Sequence, residues 1–214
     1  MNEAMKIWTF EGGFDKNFTY IFSDGRSAHA AIVDAAVPAK DLMPVIEENS
    51  LTPTHLLVTH THGDHTAYLS DYQNAFPDMT VSLFGTSGRW SNQRSLADGS
   101  EIETAGLTVS VIHTPGHYPD SVCYLVKDVL FTGDTLFVGR TGRTVGGGSD
   151  TRQLFRHVYT KILTLPDDTV IYPGHNYGDV ATITLAKNRE ISPLLQAISE
   201  DDFVDRMAQY ERSR

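Results

Sequence analysis

Between Thr54 and His65 the chain reads THLLVTHTHGDH, and this stretch restricts the fold more than any other. Leu56, Leu57 and Val58 form a short apolar run of the kind that makes a buried strand, and Thr59 closes it. The next six residues, His60 to His65, hold three imidazoles and a carboxylate. In an extended or turning backbone residues i and i+2 project to one side, so His60 and His62 face one point. Gly63 relaxes the backbone, which lets Asp64 and His65 curl around a neighbouring point. Neutral imidazoles with a carboxylate are ligands suited to zinc or iron, and the pattern predicts a metal site with two adjacent positions. A closed structural zinc site is the weaker rival. Such sites lean on cysteine, and this chain has one, Cys123.

Around this centre the pattern predicts an alternation of strands and helices. Ile7 to Phe10, Phe18 to Phe22 and Ala28 to Val33 read as an antiparallel meander, with Gly12-Gly13 and Ser23 to Arg26 as turns. Asp34 then reads as a turn residue in preference to a partner of a metal ligand. A helix follows from Pro38 to about Asn49, with Leu42, Val45 and Ile46 as its apolar stripe. A second runs from Ala67 to Phe76, stopped by Pro77. Thr80 to Phe84 and Leu107 to Ile112 read as strands, and Gly85 to Gly99 as a polar, turn-rich connection. Val122 to Val126 and Val129 to Phe131 form a hairpin around Lys127-Asp128. Asp150 is a candidate N-cap for a helix from Thr151 to Leu163, and Thr169 to Tyr172 makes a last strand. Two or three helices close the chain, broken at Pro193, with starts favoured at Asp179 and at Glu200 to Asp202.

Composition narrows the function. A formal net charge of −10 argues against a nucleic-acid partner, which would need clustered Lys and Arg. It leaves room for a small anionic substrate, since Arg140 and Arg143 can reverse the sign of one cleft. The lone cysteine excludes an internal disulfide framework and fits a reducing compartment. No apolar stretch reaches the length of a membrane span, and Met1 to Lys6 lacks a signal-peptide core, so a cytoplasmic protein is expected. The length of 214 residues suits one large domain, taken as 1–214. Cys123 sits mid-strand as a small apolar residue, and the glycines of Gly139 to Ser149 lack the Gly-Lys-Ser/Thr of a phosphate loop.

One arrangement recurs: a strand, a short loop, then a His or Asp, at His60, His117, Asp134 and His175. Ligands hung from several strand ends are how a rigid scaffold assembles one site. In order, His60-x-His62-x-Asp64-His65, Pro115-Gly116-His117, Thr132-Gly133-Asp134 and Pro173-Gly174-His175 resemble the motifs of the metallo-β-lactamase superfamily. The resemblance covers about Thr54 to Tyr177. It implies an α/β fold, a four-layer αββα sandwich with the metal site at one edge between the two sheets. It also implies that His60, His62 and His117 hold a first metal, that Asp64, His65 and His175 hold a second, and that Asp134 bridges them. His29, His55, His113 and His157 are left as structural or exposed.

Within that superfamily Thr132 to Phe137 and Gly174 to Tyr177 are similar to glyoxalase II-like hydrolases and to persulfide dioxygenases. By that resemblance Arg143 and Tyr177 help hold glutathione; a solvated loop arginine and a packed aromatic are the plainer readings. Two departures stand out. Only 39 residues follow His175, so no separate C-terminal substrate domain is expected, and Tyr118-Pro119-Asp120 replaces the more usual Thr-x-Gly after the third motif. The expected activity is a thioester hydrolase of the glyoxalase II (hydroxyacylglutathione hydrolase) type. It would use a metal-bound hydroxide, with Asp64 orienting the nucleophile and one or two divalent ions, zinc before iron or manganese. The alternatives are a mononuclear iron dioxygenase acting on glutathione persulfide, another small-substrate hydrolase of the same fold, and a non-catalytic metal-binding module.

Overall fold

A computed structural model describes residues 5–85 and 88–213. The polar start Met1 to Ala4, and Thr86 and Ser87 within the turn-rich connection, lie outside the described residues. The first sheet takes its strands in chain order: β1 (Lys6–Gly12), β2 (Asn17–Ser23), β3 (His29–Val33), β4 (Thr52–Leu57), β5 (Thr80–Phe84) and β6 (Gln93–Leu96). The expected meander is β1 to β3; from β3 onward the pairing is parallel. The second sheet comprises β7 (Glu101–Thr104), β8 (Leu107–His113), β9 (Val122–Val126), β10 (Val129–Gly133), β13 (Val170–Pro173) and β14 (Ile183–Thr184). Its spatial order is β14-β13-β10-β9-β8-β7, and β10 pairs β13 in parallel. A two-residue ladder, β11 (Leu136–Phe137) with β12 (Arg140–Thr141), stands apart.

Period-two alternation explains the layers. On β2, Phe18, Tyr20 and Phe22 point between the sheets and Ile21 points outward. On β10, Val129 and Phe131 face inward and Leu130 outward. The central layer joins the β2 aromatics to Val109, Val111, Tyr124 and Phe131, and each such side chain contributes about 1.5–3 kcal/mol on burial. Helices α1 (Ala39–Glu48) and α2 (Leu69–Ala75) cover the outer face of the first sheet through Leu42, Ile46, Leu69 and Tyr72. Helices α3 (Thr151–His157), α4 (Leu185–Ile191) and α5 (Glu200–Arg212) cover the second through Leu154, Leu185, Phe203 and Met207. The four layers are therefore the expected αββα sandwich.

Several local expectations need correction. Asp150 caps α3 by accepting from the Gln153 N–H, as expected, but the helix widens to a π turn over Val158–Ile162. Asp179 starts no helix. Thr184 caps α4 instead, with its hydroxyl accepting from the Lys187 N–H, and Ser199 caps α5. The turn-rich connection contains β6, and β7, β11, β12 and β14 add short strands beyond the expected set. Cys123 is fully buried, and burial pushes its thiol up to about 11, which suits an inert core residue.

Candidate metal centre

The loops leaving β4, β8, β10 and β13 converge at one edge of the two sheets. In the contiguous loop His60 Nε2 lies 2.9 Å from His62 Nδ1. His117, at the tip of the turn after β8, brings its Nε2 to 3.1 Å from the same His62 nitrogen. On the other side His65 Nε2 lies 3.2 Å from His175 Nε2, and Asp64 Oδ2 lies 3.3 Å from His175 Nε2. Asp134 spans both sides, with Oδ1 at 3.1 Å from His65 and Oδ2 at 3.5 Å from His117 and 3.4 Å from His175. Three groups result: His60-His62-His117, Asp64-His65-His175, and His60-His65-Asp134 joining them, each with ligand atoms within 4.8 Å of one another.

The outer ring nitrogens decide what the inner ones offer. His65 Nδ1 donates to Asp34 Oδ2 at 2.7 Å, His117 Nδ1 to the Arg143 carbonyl at 2.7 Å, and His175 Nδ1 to the Asp15 carbonyl at 2.8 Å. The Thr59 hydroxyl donates to Asp34 Oδ2 at 2.8 Å, so it is free to accept from His60 Nδ1 at 3.2 Å. In the neutral tautomers that these bonds select, four Nε2 lone pairs point inward, and His62 adds its Nδ1. Lone pairs and carboxylate oxygens this close repel unless a cation or proton sits among them. Asp134 Oδ1 is buried with no hydrogen-bond donor of its own. The donor set fits divalent cations, by this geometry and by its nitrogen and oxygen chemistry.

Protonation follows the same logic. Burial pulls His60 well below its ordinary value, and the neighbouring imidazoles add to this. Burial also opposes a charge on His65, but Asp134 and Asp34 outweigh it and raise the group. His175 is likewise penalised by burial, yet hydrogen bonds to Asp134 and Asp64 lift it to about 9. Asp134 resists burial in turn, because His65 and His175 hold it well below the carboxylate range. The carboxylates thus favour a proton on His65 and on His175, and a bound cation would compete with those protons for the same nitrogens.

Asp34 corrects the sequence reading. It is buried, at φ +58°, and its carboxylate accepts from the Thr59 N–H at 2.7 Å as well as from the Thr59 hydroxyl and His65. One side chain therefore orients an imidazole on each side of the centre. Asn17, also missed, is fully buried at the start of β2 and donates to Asp64 Oδ2 at 2.8 Å. Neither residue carries a local signal, because their partners lie 25 to 47 positions away. Two glycines permit the convergence. A Cβ on Gly174 would stand 2.4 Å from Asp134 Oδ1, and one on Gly133, at φ +47°, 2.5 Å from Thr59 Oγ1.

The three residues considered for substrate lie at the rim. The Arg143 side chain is exposed, and among the described residues it has no hydrogen-bond or ion-pair partner; its backbone carbonyl is what holds His117. Tyr177 stacks on His175 with ring centroids 4.7 Å apart, and its hydroxyl donates to Asp15 Oδ2. Arg140 lies over the Tyr177 ring at 5.6 Å and donates to the Tyr177 carbonyl and the Tyr210 hydroxyl. It turns toward a cleft of 830 Å³ beside α5, lined also by Leu194, Arg206 and Gln209. Of the remaining histidines, His113 stacks on Phe84 and His157 donates to the Pro115 carbonyl, both as structural contacts.

Comparison with known proteins agrees with this geometry. The family model of the metallo-beta-lactamase superfamily matches residues 83–175. An uncharacterized protein of Mycobacterium leprae (strain TN) is 32% identical over 91% of this chain and 100% of its own length. A probable hydroxyacylglutathione hydrolase of Schizosaccharomyces pombe is 34% identical over 80% of this chain and 68% of its own. The crystal structure of ETHE1 from Myxococcus xanthus matches with a TM-score of 0.85 and 28% identity, over 96% of this chain and 91% of that one. A sandwich of this topology, with imidazoles and carboxylates gathered at its edge and relatives of this closeness, belongs to the metallo-β-lactamase superfamily, in its glyoxalase II-like and ETHE1 branch.

Proposed function

We propose that this chain is a metal-dependent thioester hydrolase of the hydroxyacylglutathione hydrolase type. The observation that carries the reading is the pair of complete ligand groups, His60-His62-His117 and Asp64-His65-His175, with Asp134 reaching both. Divalent cations held there, zinc before iron or manganese, would supply Lewis acidity toward a thioester carbonyl and lower the pKa of a water. The chain's own residues do the rest. Asp34, the Arg143 carbonyl and the Asp15 carbonyl hold the rings in the tautomer that faces inward. Asn17 fixes one oxygen of Asp64, which leaves the carboxylate placed to orient a nucleophile.

Arg143 at the rim, with Arg140 and Tyr177 beside the α5 cleft, offers positive and aromatic surface to an anionic thiol carrier such as glutathione. Such steering matters in a chain whose net charge is −10. We place the protein in the reducing cytoplasm on the strength of its one buried thiol, acting on a small molecule and on neither nucleic acid nor membrane. Among the described residues no helix is long and apolar enough to cross a membrane.

A second reading has its own support. His60, His65 and Asp134 form a two-histidine, one-carboxylate group, a set that suits mononuclear iron and oxygen chemistry, with glutathione persulfide as the substrate. One experiment separates the two: metal content of protein purified without added metal, with thioester hydrolysis and persulfide-dependent oxygen uptake assayed side by side. Two metal equivalents with thioester turnover support the hydrolase. One iron with oxygen uptake, and no thioester turnover, replaces it with the dioxygenase.

A further inference from the structure

The turn that carries His117 holds an unusual tie. It closes on itself through Thr114 N–H to the Ser121 carbonyl at 2.8 Å, and His113 Nε2 donates to the Pro119 carbonyl at 2.9 Å. From this braced turn Asp120 reaches across to Thr61, the residue between His60 and His62. Its Oδ2 accepts from the Thr61 hydroxyl at 2.5 Å and its Oδ1 from the Thr61 N–H at 3.2 Å. The ring of Tyr118, from the same turn, packs against His62 with centroids 4.2 Å apart. One short turn thus supplies an imidazole to the His60-His62-His117 group and also holds the loop that bears the other two. Glycine at position 120, the residue the sequence resemblance would place there, has no side chain to make this bond.

We propose that Asp120, acting through Thr61, is a positioning residue that presets the His60-His62-His117 group for its cation. The Asp64-His65-His175 group has supports of its own, Asn17, Asp34 and the Asp15 carbonyl, and does not depend on the tie. The inference rests on the metal-binding reading above. Carboxylate and carbonyl partners that orient ligands commonly change metal affinity by about 10–100-fold when removed.

The test is zinc titration against a chromophoric chelator, applied to the wild type and to Asp120→Ala, Thr61→Val, Thr61→Ser and the double variant Thr61→Val/Asp120→Ala. His117→Ala marks which equivalent belongs to the trio, and thermal melts of metal-free protein monitor folding. Asp120→Ala and Thr61→Val are expected to weaken the equivalent that His117→Ala removes by about 10-fold or more and to leave the other unchanged. Thr61→Ser, which keeps the hydroxyl, is expected to bind as wild type. The double variant is expected to lose no more than the worse single one, because both break one interaction. Wild-type affinity for both equivalents in Asp120→Ala overturns the proposal. So does an equal loss at both together with a lower metal-free Tm, which marks a merely structural tie. Wild-type protein that takes up no zinc overturns the metal reading itself, and the inference with it.

Discussion

The two sheets build the centre in different ways. The first sheet supplies His60, His62, Asp64 and His65 from one loop after β4, so four groups share six consecutive positions. The second supplies His117, Asp134 and His175 from three loops that lie far apart in the chain. The contiguous loop needs little from its glycine, since a Cβ on Gly63 would meet nothing within 4 Å. The scattered set depends on close approach: Gly174 passes Asp134 and His65, and Gly142 passes His117. One half of the site is written in local spacing, and its glycine has room for a Cβ. The other half exists only when distant backbones touch, and it is intolerant where they do.

This contrast sets the order of expected effects. Gly174→Ala should be the most damaging, abolishing metal uptake and costing about 1–3 kcal/mol or more in chemical denaturation, because the added methyl has no room beside Asp134 and His65. Gly63→Ala should keep wild-type metal content; if it fails as badly as Gly174→Ala, the contrast is wrong. Next comes Asp34→Ala, which strips acceptors from the buried Thr59 N–H and from His65 and should cost about 1–3 kcal/mol. It should also weaken both metal equivalents, and an effect confined to one would show that Asp34 serves a single side.

A subtler test uses pH on chelator-treated protein. The folded value of His175, about 9, is raised above the ordinary 6.5. Its contribution is therefore fully present below 6.5 and is lost as pH rises through about 9. The metal-free Tm should fall across that window, and His175→Ala should flatten the slope. The smallest effect belongs to the far side of the second sheet, where Arg152 and Arg156 pair Glu200 at 2.8 Å between α3 and α5. These ion pairs hold Glu200 down to about 2 from 4.5, so their contribution is present above 4.5 and is lost only as pH falls toward 2. Glu200→Gln should leave metal content unchanged near neutral pH and should move Tm less than Gly174→Ala, Asp34→Ala or His175→Ala, as expected for exposed pairs.

The same contrast explains what could be read without coordinates. The His60 to His65 cluster was visible because its sequence spacing is its spatial spacing. The alternation of β2 was visible too, with Phe18, Tyr20 and Phe22 on one face. The four layers came from the family resemblance, because Val129-Leu130-Phe131 of β10 is apolar throughout and does not show in the letters which side faces which layer. His117, Asp134 and His175 stood out only as a repeated strand-loop-ligand arrangement and through family likeness; no physical rule applied to the letters joins residues so far apart. Asp34 was misread for a related reason. Its left-handed backbone, at φ +58°, is that of a turn, as the sequence suggested, while its side chain serves partners brought in by β4. Short edge strands such as β6, β7 and β14 left too few alternating positions to register, and Asp179 mimicked a helix start that Thr184 performs.

The loop bearing His175 is stitched to the beginning of the chain. Phe18 N–H donates to the Gly174 carbonyl at 2.7 Å, the Tyr20 hydroxyl to the Pro173 carbonyl at 2.6 Å, and Asn176 N–H to the Lys16 carbonyl at 2.9 Å. During synthesis the opening hairpin must therefore wait, one rim unsealed, until some 150 further residues have left the ribosome. Completing the Asp64-His65-His175 group becomes a finishing step of biogenesis, and a nascent chain stalled before that seam would offer a cation the His60-His62-His117 trio without that second group.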